Sequence, residues 1–216
     1  MCFSASASFV ASGGLVALGG ASLAVAKKKE KIIAAIPLMF GVQQAFEGVQ
    51  WLHLDTGNTS LIAGYSFLVF ALIVWPVYVP CTVYMLDTRR RKILKWFIVA
   101  GSIVALYYGY ILLTQSLVIN EFRACVNYQY NSPFGNIFGT FYVLTIFGPL
   151  FVSCRPIFKW FGLAVAVLAI IAWLFFTLAF TSVWCFFAAI ISSMFFVYIT
   201  LRHHRQGKHS SSQKKS

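Results

Sequence analysis

"KKKEKIIAAIPLMFGVQQAFEGVQWLHL", residues 27–54, decides how the rest of the chain is read. It opens with a tight cluster of lysines around Glu30, then runs mainly apolar for more than the roughly 20 residues that cross a hydrocarbon core. The cluster follows an earlier apolar run, Ser4 to Ala26. A secretory signal places its positive charge ahead of the apolar segment. "ASLAVA" (21–26) therefore reads as the end of a retained membrane helix and not as a cleavage site.

The same reading along the chain gives seven apolar segments: Ser4 to Ala26, Ile32 to Leu54, Leu61 to Leu86, Ile93 to Leu117, Phe134 to Val152, Ile157 to Leu178 and Thr181 to Leu201. The last break falls in the uncharged "LAFTSVW", because Ile157 to Leu201 is too long for one span. Charged residues make up 10% of the chain against about 25% in a soluble domain, so the chain is not built for water. The net charge of +12 sits in short clusters between apolar runs, with no basic stripe interleaved with exposed aromatics. That pattern argues against nucleic acid and for attraction to anionic lipid.

Lys27, Lys28, Lys29 and Lys31 fill the first loop, Arg89, Arg90, Arg91, Lys92 and Lys95 the third, and Arg155 and Lys159 the fifth. The other loops hold only Asp55, or Glu121 with Arg123, or no charge. The positive-inside rule then predicts an all-α, seven-transmembrane-helix bundle, N-terminus outside and C-terminus cytoplasmic. Residues 1–201 are expected to form a single domain in the lipid bilayer. Residues 202–216, "RHHRQGKHSSSQKKS", are expected to form a basic, disordered cytoplasmic tail.

Three local features add detail. Small residues recur at four-residue spacing in the first segment (Ser4, Ser8, Ser12 and Gly13, Ala17, Ala21), which predicts a central helix packed on more than one side. "VWPVYVPC" (74–81) has prolines four apart and predicts a kink, either a hinge or fixed shaping. "VINEFRACVNYQYNSP" (118–133) is the longest connection and reads either as a lid or as a plain connector.

The second segment carries the chemistry. At about 100° per residue, Gln43, Glu47 and Gln50 share one arc of the helix, with Gln44 and Trp51 on its shoulder. A carboxyl in a membrane helix costs on the order of 2.5–3.5 kcal/mol. Glu47 either stays neutral and donates a hydrogen bond, or ionises beside a cation or in a wet cavity. The alternative role is glue between helices, yet interhelical bonds in membranes average only about 0.6 kcal/mol. Cys2, Ser4, Ser6, Tyr65, Thr114, Gln115, Asn136, Thr140, Trp184 and Cys185 fall at the same outer depth. Together they predict an outward polar pocket with Trp51, Trp75 and Trp184 as apolar walls.

Metal ligation looks thin, since His203, His204 and His209 lie in the tail and only His53 lies outward. No cofactor motif is present. Cys2 and Cys125 could pair in an oxidising compartment, and Cys2 could also serve as an N-terminal nucleophile. Three readings follow. The first is a pocket binding or transporting a small solute or proton through Glu47, Gln43, Gln44, Gln50, Trp51, Trp75, Trp184 and Cys185. The second is an intramembrane enzyme, using Glu47 with His53 on a metal, or the Cys2 thiol. The third is a signalling or assembly subunit.

The blocks "MCFSASASFVASG" (1–13), "GVQQAFEGVQWL" (41–52), "VWPVYVP" (74–80) and "SVWCFFAA" (182–189) together resemble an uncharacterised bacterial membrane-protein family. Its members open with Met-Cys-Phe-Ser-Ala and carry Gln-Gln-x-x-Glu-Gly and Trp-Cys-Phe-Phe-Ala blocks. The resemblance implies a multi-pass protein of the bacterial inner membrane. It points to Cys2, Ser4, Gln44, Glu47, Trp75, Pro76, Trp184 and Cys185, and it carries over no activity. The helix count and orientation are also similar to ceramidase-like membrane hydrolases, whose zinc histidines this sequence lacks within its helices.

Overall fold

The computed structural model describes residues 4–202. Each apolar run becomes one helix long and apolar enough to cross a membrane: α1 Ala5–Val25, α2 Lys31–Leu54, α3 Leu61–Leu86, α4 Arg91–Thr114, α5 Gly135–Val152, α6 Pro156–Phe175 and α7 Thr177–Arg202. The chain is thus a multi-pass membrane protein. Its connections are short except between α4 and α5. The expected boundaries shift by a few residues, most at the α6–α7 break, which lies at Phe176 ahead of a short 3₁₀ turn, Thr177–Ala179.

α2, α3 and α7 are the most buried helices and form the centre. α1 is not central. Its buried residues, Ser8, Ser12, Leu15, Gly19 and Ser22, make one stripe against α2. The Ser12 hydroxyl donates to the Gly41 carbonyl at 2.8 Å. A Cβ at Gly41 would lie 2.8 Å from Val16, so the two backbones approach closely there. Gly13, Gly14 and Gly20 face open space. The sequence pattern misleads because α1 is small-residued on both faces, and only one is used.

α3 is shaped by Pro76. Val69–Val74 forms a π turn, and the Trp75 N–H bonds the Phe70 carbonyl. Pro76 has no N–H, so the Ala71 carbonyl is skipped by both residues that could serve it from within the helix. The Tyr142 hydroxyl of α5 donates to that carbonyl at 2.6 Å. The Pro76 carbonyl in turn packs against α4 at Gly101, where an added Cβ would collide with it.

The all-α expectation omits one element. Strands β1 (Val118–Phe122) and β2 (Cys125–Gln129) form an antiparallel hairpin, with Phe122 opposite Cys125. Its two-residue turn, Arg123–Ala124, holds both residues at positive φ (49° and 54°), a conformation normally signalled by Asn-Gly. Without that signature the hairpin is invisible in the sequence. Cys125 and Val126 are fully buried, and Tyr128 stacks on Phe67 with ring centroids 5.0 Å apart. The connection is thus a folded hairpin packed on its end of the bundle.

At the opposite end two contacts tie loops together. Glu30 pairs with Arg202 at 2.6 Å. Asp87 accepts from the Ser153 hydroxyl (2.8 Å) and from the backbone N–H groups of Cys154 (2.6 Å) and Arg89 (2.9 Å). Beyond Arg202, the expected tail lies outside the described residues, as does Cys2 with its disulfide and nucleophile readings.

Two outcomes are expected. Gly101→Ala should destabilise the solubilised protein by about 3 kcal/mol, since the Cβ meets backbone rather than a side chain that can yield. Gly139→Ala, on α5 and facing open space, should stabilise it by about 0.5–1 kcal/mol. Equal thermal shifts for the two would contradict the packing at Gly101. Burial alone would push the Asp87 carboxyl up, but Ser153 and the N–H groups of Cys154, Arg89 and Arg90 outweigh it and hold it below the ordinary carboxylate range. Such a group adds stability that is complete above about pH 4 and is lost as pH falls through its folded value. Asp87→Asn should therefore cost about 1–3 kcal/mol at neutral pH, with the gap to wild type closing in acid. A gap independent of pH would refute this.

Candidate functional site

The polar stripe of α2 is buried intact. Gln43, Gln44, Glu47 and Gln50 all have 0% exposure, and Trp51 and Trp75 nearly so. Three elements meet at Glu47. The Ser182 hydroxyl of α7 donates to Glu47 Oε1, and the Gln44 side chain lies beside the same carboxyl. The thiols of Cys125 on the hairpin and Cys185 on α7 face it as well. Next to this group the Trp75 indole N–H of α3 donates to Gln43 Oε1 at 2.7 Å.

The cluster is not internally satisfied. Glu47 Oε2, both amide atoms of Gln44 and of Gln50, Gln43 Nε2, Trp51 Nε1 and Trp184 Nε1 have no hydrogen-bond partner among the described residues. Buried polar groups are nearly always paired, and each one left alone costs about 1–3 kcal/mol.

Beside the cluster lies an open cleft of about 600 Å³, between α5 and the α6–α7 pair at the hairpin end. Asn136, Gly139 and Thr140 form one wall, Trp173, Thr177 and Thr181 the other, and Tyr142, Trp184 and Cys185 the floor. Beneath that floor is an apolar pocket of about 50 Å³, lined by Phe40, Trp75, Phe161 and Phe195 among others. Tyr142, Trp184 and Cys185 line both spaces and so form the partition between them. Trp184 is held between Phe180 (5.2 Å) and Phe147 (5.9 Å), with Tyr142 edge-on at 5.9 Å.

A profile built from related sequences matches residues 1–211, the whole bundle and its polar stripe included. The chain belongs to DUF6629, a family of unknown function. No curated protein and no solved structure matches it.

In this family member the single pocket expected from sequence is divided in two. Glu47, Gln43, Gln44, Gln50 and Trp51 lie in the closed cluster, and Trp75 joins that cluster to the apolar pocket. Trp184 and Cys185 are at the partition. Asn136 and Thr140 reach the cleft wall, while Tyr65, Thr114 and Gln115 do not line it. His53 is exposed and bonds the Val49 carbonyl at 2.9 Å, so it does not meet Glu47. Sequence reasoning missed Ser182 and Tyr142. Ser182 was within reach, since it opens the "SVWCFFAA" block, whereas nothing local marks Tyr142 as the partner of a carbonyl freed in another helix.

The Trp75–Gln43 contact can be measured by a double-mutant cycle with Trp75→Phe and Gln43→Leu. Its coupling should be about 0.6–1.7 kcal/mol in thermal unfolding, the range of interhelical bonds in membranes. Coupling near zero would show that the pair does not hold α2 to α3.

Proposed function

We propose that this is a multi-pass protein of the bacterial inner membrane, N-terminus outside and C-terminus cytoplasmic, that binds or passes a small solute or a proton at the Glu47 cluster. The orientation rests on the basic first, third and fifth loops lying at one end of the bundle, where they would also contact anionic lipid. The hairpin end, with its cleft, would then face outward.

One observation carries the functional reading. A carboxyl and three glutamines are fully buried at membrane depth, yet most of their polar atoms have no partner among the described residues. Glue between helices would need each amide engaged by a neighbouring helix, and Ser182 and Trp75 engage only Glu47 and Gln43. The unengaged groups fit an arrangement that hydrogen-bonds a small guest or relays a proton.

Glu47→Gln is the test, because it keeps the shape and an oxygen to accept from Ser182 while removing the titratable group. In proteoliposomes with a pH-sensitive dye inside, wild type should dissipate an imposed pH gradient, or show solute binding that varies with pH. The Glu47→Gln protein should lose that pH dependence while unfolding at a similar temperature. The titratable groups facing Glu47, the Cys125 and Cys185 thiols, remain in both proteins. Identical pH behaviour of the two would overturn the proposal.

A further inference from the structure

We infer that the cleft between α5 and α6–α7 takes an uncharged, ring-bearing amphipath with carbonyl oxygens, of the quinone class, and that Trp184 meets it from the floor. It goes beyond the reading above, since the cleft is a space separate from the closed Glu47 cluster.

Size comes first. About 600 Å³ lies within the roughly 300–1,000 Å³ of sites for small organic molecules. Charge comes second. None of the described residues lining the cleft carries a formal charge, so an ion would lose its water there without a counter-charge. Hydrogen-bonding polarity comes third. Trp184 supplies ring surface at the floor, its indole N–H being itself buried. Tyr108 and Tyr130 add phenolic donors to the same lining. Thr140 and Thr177 spend their protons on their own helices, bonding the Asn136 carbonyl at 2.9 Å and the Trp173 carbonyl at 2.7 Å. The cleft therefore calls for acceptor oxygens on the guest.

Shape and access complete the argument. Trp173 and Val143, which line the cleft on α6 and α5, are 60% and 44% exposed on membrane-spanning helices, so its rim borders lipid. A neutral amphipath dissolved in the bilayer can reach it without crossing water. Trp173 adds an exposed aromatic ring to the lining, on which a guest ring can stack. Behind Trp184 the small apolar pocket has room for a short hydrocarbon substituent.

The test uses the full chain in lipid nanodiscs and radiolabelled menadione, with empty nanodiscs to measure partition into lipid. Wild type should bind saturably above the empty discs, and a sulfonated naphthoquinone should bind about tenfold more weakly or worse. Gly139→Phe places a ring in the cleft from a position with open space around it, and Thr140→Trp does so from the next residue. Both should unfold near the wild-type temperature and lose menadione binding. Uptake that only tracks lipid, equal binding of the sulfonated compound, or full binding by both filled variants would overturn the inference. Saturable menadione binding alongside a Glu47→Gln protein that behaves as wild type would support the cleft and remove the Glu47 reading. The reverse pair of results would remove the cleft alone.

Discussion

Proline has no amide hydrogen, and at Pro76 that single deficit organises the bundle. The helix around it cannot serve the Ala71 carbonyl, so the π turn leaves an acceptor exposed to its neighbours inside a membrane span, where none can go unanswered. Tyr142 answers it from α5. The same turn sets the direction of Trp75, which reaches Gln43 on α2, and brings the Pro76 carbonyl against Gly101 on α4. One irregular stretch of α3 thereby fixes three other helices, and two of the side chains it fixes, Tyr142 and Trp75, line the apolar pocket.

The polar cluster and the cleft obey opposite rules although they are neighbours. The cluster is closed, holds a carboxyl and several amides, and is only partly satisfied from within. The cleft is open, uncharged, and built of hydroxyls and rings. What separates them is a thin layer from α7, in which Ser182 reaches Glu47, Trp184 faces the cleft and Cys185 borders both. A small rotation of that segment would change both environments at once, because Ser182 and Trp184 ride on the same turn of one helix.

Much of the architecture was legible because spans are specified by length and apolarity, and neither needs tertiary information. The stripe at Gln43, Glu47 and Gln50 was legible for the same kind of reason, since helical spacing alone puts the three on one face. Packing partners were not. α1 carries small residues all round, and its sequence does not say which face α2 takes. The Arg123–Ala124 turn adopts a glycine-like conformation without glycine, supported by the burial of β2 rather than by local preference. The division into cluster and cleft was illegible because it depends on how residues of five helices come together, from Leu72 on α3 to Cys185 on α7.

The contact between Glu47 and Ser182 joins residues 135 positions apart in the chain. α7 follows the other six helices, yet it occupies the middle of the bundle and also supplies Arg202 to Glu30. At about 5–20 residues per second, Glu47 is made on the order of ten seconds before the hydroxyl that will meet it. During biogenesis the central packing cannot be complete until the seventh helix is made. The carboxyl at the heart of the molecule spends that interval without its partner on α7, and assembly is completed from the C-terminal side.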